Sequence, residues 1–156
     1  MADLRELYEC RPSLEIFQRT WHPNAVFEDP LVKAKGFREY AAQFYALPKL
    51  FSKSETVSSR VMSSTRQPNR LVFTQKQRYK NRFMNKVGVF LPGRDLGLYT
   101  KTIESVITVD LDEDDRIIRI VDQWQGKPLQ AEWRRRLGAR VGAMLVRTPS
   151  LGQGSN

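Results

Sequence analysis

The chain is poor in the residues from which metal and redox centres are built. It has one cysteine, Cys10, and one histidine, His22. A single cysteine excludes an internal disulfide and a cysteine cluster. Cys10 and His22 together are too sparse for a metal site or a Cys-His nucleophile. No apolar run approaches the roughly 20 residues that span a bilayer. The polar N-terminus carries no secretory signal pattern. The cytoplasm is therefore the expected location, with no metal or organic cofactor expected.

Positive charge is plentiful, with 26 Lys and Arg against 17 Asp and Glu, a balance of +9. That excess favours anionic partners through long-range attraction. No zinc finger, RNP-type aromatic motif or basic helix-turn-helix pattern accompanies it, so nucleic acid is not an expected partner. With 40% hydrophobic and 10% aromatic residues, the chain can bury a core as one domain. We expect that domain over 1–146, with a disordered Gly/Ser/Gln-rich tail at 147–156.

The hydrophobic period divides the chain into helices followed by strands. Asp3 and Glu6 ahead of Leu4, Leu7 and Tyr8 suit a capped first helix, which Pro12 interrupts. Ser13 can cap a second segment carrying Leu14, Phe17 and Trp21. His22-Pro23-Asn24 reads as a turn, 25–30 as a strand and Lys33 to Gly36 as a loop. Phe37, Tyr40, Ala41, Phe44 and Leu47 recur at helical spacing, and Pro48 is expected to end that helix. From Val57 the period becomes two. Gln67-Pro68-Asn69 marks a hairpin. Leu71, Phe73, Gln75, Gln77 and Tyr79 share one face, opposite Lys76, Arg78, Lys80 and Arg82. Tyr99, Ile103, Ser105, Ile107, Val109 and Leu111 share a face of the next strand. Asp112 to Asp115 form an acidic turn. Ile118, Ile120, Asp122 and Trp124 share a face of the last strand. An apolar loop over 85–97 reads as a flap. Trp133, Leu137, Val141 and Leu145 mark a final helix with a basic face, whose peripheral contact with an anionic membrane is a minor alternative to packing on its own domain or a partner subunit. Helices followed by long antiparallel strands give an α+β class.

The run Ala25-Val26-Phe27-Glu28-Asp29-Pro30 is the most informative for chemistry. Alternation along a strand puts Phe27 and Asp29 on one side, and Val26 and Glu28 on the other. A carboxylate among apolar groups loses hydration and becomes a proton shuttle. Equally, Asp29 can brace the turn before Pro30 by accepting backbone N–H bonds. Asp122 shares its inward face with Trp124. It reads either as a second acid with a split pKa on an opposite wall or as a structural Asp. Gln75, Gln77 and Tyr79 need partners if buried, from a polar ligand or from water and backbone. The basic stripe reads as an anionic-partner surface, or as a solvated face or dimer contact opposite Glu104. His22 and Cys10 read as structural.

Three elements in order resemble the NTF2-like superfamily, in its SnoaL-like and ketosteroid-isomerase-like branch. They are Trp21 to Pro30 with Gly36 opening the next helix, Val109 to Ile117, and Val121-Asp122-Gln123-Trp124. The resemblance implies a cone with a curled, mostly antiparallel sheet covered by N-terminal helices. It also implies a homodimer and an apolar pocket without a cofactor. Asp29 matches the general base of the steroid-isomerase members. Tyr8 matches their helix donor, while the strand position of their protonated aspartate falls on Ile107, which has no proton to give.

These readings together make Asp29, Asp122 and Tyr8 the candidate catalytic groups. The expected pocket walls are Phe27, Tyr40, Phe44, Phe73, Gln75, Gln77, Tyr79, Tyr99, Ile107 and Trp124. The expected function is isomerisation, cyclisation or dehydration of an apolar carbonyl or hydroxyl compound. The alternative is a non-catalytic binding or dimerisation domain plugged by Phe37, Tyr40, Phe44 and Trp124.

Overall fold

A computed structural model of the chain describes residues 1–81 and 100–125. The readings made for Arg82, 85–97, Tyr99, the segment 131–146 and the tail lie outside the described residues. Helix α1 (Ala2–Tyr8) ends at a left-handed residue, Cys10, with φ of 64°. The Cys10 N–H donates to the Leu7 carbonyl and the Arg11 N–H to the Glu6 carbonyl. This pair of bonds closes a helix around a left-handed residue. Asp3 caps nothing. Its carboxylate instead accepts from Arg19 Nε at 2.8 Å, because the guanidinium competes for it better than a backbone N–H. Helix α2 (Leu14–Thr20) starts as expected, with Ser13 Oγ accepting from the Ile16 N–H at 3.3 Å.

Strand β1 (Trp21–Glu28) begins three residues before the expected turn has ended. His22-Pro23-Asn24 is a bulge inside it, where the register against β6 slips between Trp21 and Val26. Pro23 has no N–H for a ladder, and an irregular stretch of strand accommodates it. Lys33–Lys35, read as loop, forms a short strand β2 against β1. Helix α3 (Phe37–Leu50) follows Gly36, whose φ is 84°. Pro48 lies inside α3 rather than ending it. Pro48 has no N–H for the Phe44 carbonyl, and the helix runs only two residues beyond it.

Strands β3 (Phe51–Arg66), β4 (Asn69–Asn81), β5 (Thr100–Leu111) and β6 (Ile117–Gln125) complete a six-stranded sheet, in the order β2-β1-β6-β5-β4-β3. The β1–β6 pair is parallel and the other adjacent pairs are antiparallel. The expected faces of β4 and β5 are those observed, with Phe73, Gln75, Gln77, Tyr79, Ser105, Ile107 and Val109 buried. β6 departs once: Ile118 is exposed and Ile117 buried. The register slips between Asp110 and Leu111, so Ile117 rather than Ile118 turns inward. The helices cover this inward face. Their core is aromatic: Trp21 stacks on Tyr40 at 4.6 Å, and Phe44 meets Trp21, Phe27 and Tyr8 edge-on. The architecture is the α+β cone read from the sequence.

Candidate functional site

Strand register places the candidate acids side by side. Phe73 faces Ile107, and Ile107 faces Asp122, in one inward row across β4, β5 and β6. In the parallel β1–β6 pair, Phe27 is level with Ile120 and Glu28 with Val121. Asp29 follows directly, one residue beyond the end of β1, and its charge is felt at Asp122. Neighbouring strands are about 4.8 Å apart. The second carboxyl therefore sits in the turn that leaves β1, the strand paired with the one that carries Asp122.

Asp122 is 5% exposed. Its Oδ2 accepts from the Tyr8 hydroxyl at 2.9 Å, a bond that spans 114 positions of sequence. Its Oδ1 is buried with no hydrogen-bond partner. Burial pushes the Asp122 carboxyl up to about 6; Ser105 and Tyr8 draw it back, Asp29 raises it further and Trp124 lowers it. Ser105 and Trp124 face each other across β5 and β6. They steady the charged form, but neither makes a hydrogen bond of regular geometry to Oδ1. Burial, then the charge of Asp122, pushes both Tyr8 and Tyr79 well above the ordinary phenol range, and Asp29 contributes to both. These four groups thus sense one another across one apolar interior.

Asp29 braces its turn and is also largely desolvated. Oδ1 accepts from the Leu31 and Val32 N–H groups at 2.7 and 2.8 Å, bracing the turn beside Pro30. Burial nonetheless outweighs those two bonds, and the carboxyl lies above its ordinary value. The turn holds the side chain in place while the surroundings keep it easy to protonate.

The buried amides behave differently. Gln77 Nε2 donates to Ser54 Oγ at 2.7 Å and to the Tyr8 carbonyl at 3.1 Å. Its Oε1 accepts from Thr56 Oγ1 at 2.8 Å and Gln75 Nε2 at 3.2 Å. Ser54 Oγ also donates to the Tyr8 carbonyl at 2.7 Å. Gln77 is thus saturated by protein groups, and it ties the end of α1 to β3 and β4. Tyr8 is held at both ends, by its carbonyl and by its hydroxyl.

The other expected wall residues divide into two groups. Phe27, Phe44, Phe73 and Ile107 are buried around the Asp122 row. Tyr79, stacked against Phe51 at 4.6 Å, is buried at its edge, and Trp124 is half-buried. Tyr40 instead belongs to the helix core, with its hydroxyl on the His22 carbonyl at 3.3 Å. Phe37 lies at the surface. Ser54, Thr56 and Ser105 were not singled out as site residues. Their signal was a small polar side chain at an inward strand position, which gains meaning only once its cross-strand partner is known. Among the described residues no three His, Cys, Asp or Glu side chains group to hold a metal ion. Lys76 pairs with Glu104 across the outer face at 2.7 Å, and Arg78 lies 3.9 Å from Glu55.

No family model matches the chain, and no curated protein matches it in sequence. Solved structures do match its fold. A steroid delta-isomerase from Pseudomonas aeruginosa superposes with a TM-score of 0.57 at 16% identity, over 93% of this chain and 88% of that one. An NTF2-like protein of unknown function from Exiguobacterium gives 0.57 at 11%, over 81% and 98%. A putative isomerase of the SnoaL-like family from Agrobacterium tumefaciens gives 0.52 at 15%, over 80% and 93%. The chain has the NTF2-like fold, in the form seen in SnoaL-like and steroid-isomerase structures. No helix among the described residues is long and apolar enough to cross a membrane.

Proposed function

We propose that this protein binds an apolar carbonyl or hydroxyl compound between its sheet and helices and moves a proton on it without a cofactor, in an isomerisation, cyclisation or dehydration. One observation carries the reading: Asp122 Oδ1 is buried without a regular hydrogen bond, and a second carboxyl, Asp29, is close enough to raise its pKa. Burial of an unpaired carboxylate oxygen is costly, and sites that tolerate it are enriched in function. Asp122 is the group that gives or takes the proton. Its pKa near 6 lets both forms be populated near neutrality. Tyr8 holds the other oxygen, and Asp29 modulates the charge. The solved neighbours named isomerases support the fold of such a pocket and not its reaction.

A second reading, a non-catalytic binding or dimerisation domain, is favoured by the filled aromatic core of Phe17, Trp21, Tyr40 and Phe44. Titration with 2-naphthol, an apolar hydroxyl compound, separates the two. The pocket reading expects saturable binding that shifts the Asp122 carboxyl resonance. An unmoved Asp122 signal in the folded protein, with no naphthol binding, refutes it.

A further inference from the structure

Glu28 at the end of β1 is level with Val121, so Asp29 opens the following turn beside the strand that carries Asp122, and its charge raises that carboxyl. Such a carboxylate pair repels itself, more so where water is scarce. Each carboxyl already has one oxygen committed. Tyr8 occupies Asp122 Oδ2, and two backbone N–H groups occupy Asp29 Oδ1. The other oxygen, Asp122 Oδ1, is enclosed and makes no regular hydrogen bond, with Ser105 and Trp124 near enough only to ease its charge. On the inward rows of the described strands the cation is Lys101, opposite Tyr79. It stands six residues along β5 from Ile107, about 20 Å of extended chain. The inward rows of the described strands are therefore acidic around Asp122, inside a protein of net charge +9.

We propose that the compound this site takes carries a basic nitrogen, protonated as an ammonium, which seats on Asp122 Oδ1 beside Asp29. The inference rests on the pocket reading above and names its ligand class. An ammonium supplies the missing N–H donor and cancels the repulsion of the paired acids in one step. A neutral hydroxyl or carbonyl supplies at most the hydrogen bond. A charge-assisted bond is about twice as strong as a neutral one. The rings of Tyr8, Phe44 and Phe27, which meet edge-on at 5.9 and 5.1 Å, belong to the same buried cluster and offer it apolar surface. The remaining ligand body is apolar, because the walls Phe73 and Ile107 are. A metal ion is the poorer fit, since the described acids do not group in threes.

The test uses three probes of one shape: 2-naphthylmethylamine, 2-naphthalenemethanol and 2-naphthoate. Each is titrated into the full chain by calorimetry. At about pH 7.5 the amine is expected to bind roughly ten-fold or more tightly than the alcohol. Net protein charge predicts the opposite order, favouring naphthoate, so non-specific attraction cannot mimic the result. Asp122→Asn should remove most of the amine preference. The preference should also shrink at about pH 5, as Asp122 takes up a proton. The titratable groups facing Asp122 are Asp29, Tyr8 and Tyr79, and both phenols stay neutral throughout that range. Alcohol binding equal to or tighter than amine binding overturns the ammonium inference and leaves the pocket reading intact. So does an amine preference that persists in both Asp122→Asn and Asp29→Asn. Binding of none of the three to the folded protein sinks both.

Discussion

Replacing Asp122 by Asn should make this protein more stable at neutral pH. A carboxyl moved from 3.8 to about 6 by burial takes up its proton more readily folded than unfolded. Stability from that proton is full below about pH 4 and is lost as pH rises through about 6. At about 1.4 kcal/mol per tenfold, the ionised folded protein is weakened by about 3 kcal/mol. Asn resembles the protonated acid in shape and charge and keeps an oxygen for the Tyr8 hydroxyl. The variant should therefore gain about 3 kcal/mol near pH 7.5, or roughly 6–12 °C in Tm for a chain of this size. The gain should fade towards pH 4. Urea denaturation of both proteins across that range reads the difference, in which the other titrating groups cancel. A destabilised variant at pH 7.5, or a gain that does not change with pH, refutes the claim that Asp122 is buried at the expense of its charge.

Other groups give distinct signatures. Gln77→Leu removes four side-chain hydrogen bonds and leaves Ser54, Thr56 and the Tyr8 carbonyl short of partners. It should cost about 2–4 kcal/mol in urea denaturation. Phe44→Ala opens a hole among Tyr8, Phe17, Trp21 and Phe27, worth about 3–5 kcal/mol of lost stability. Glu9 shows the opposite pH behaviour to Asp122. Burial raises its carboxyl, but Arg5, Arg11 and Thr56 outweigh that and bring it down to about 2. Its contribution is complete above pH 4.5 and lost as pH falls through about 2, so Glu9→Gln should weaken the protein at pH 7 and cease to matter near pH 2. Equal penalties at both pH values would contradict the ion pairing.

Most of the architecture is legible from periodicity alone. The alternation of β4 and β5 survives residue by residue, because burying one sheet face fixes register tightly. The misreadings occur where a local signal was overruled by pairing. Pro23 and Pro48 read as breaks, yet one is absorbed by a bulge and the other by the last turn of a helix. Lys33–Lys35 lacks a strand's composition and is a strand because β1 offers it an edge. Ile117 and Ile118 exchange sides at a register slip. The acids were identifiable singly, Asp29 by Pro30 and Asp122 by its face. Their adjacency was not, since it depends on the parallel pairing of β1 with β6, in which Glu28 lies against Val121 from far along the chain. Saturation of Gln77 was equally hidden, because its partners come from α1, β3 and β4.

The outermost strand carries a consequence for how copies of this chain meet. Among the described strands β3 pairs with β4 alone, and Val57, Val61 and Met62 stand exposed along it. A straight, greasy border of that length would invite strand after strand to add, without limit. Three slips of register, after Phe51, Thr56 and Val61, break its rhythm of donors and acceptors. Lys53, Arg60 and Arg66 further punctuate it with charge. An incoming border with an even repeat cannot match that spacing over more than a few residues, so open-ended growth of fibrils is checked by the backbone itself.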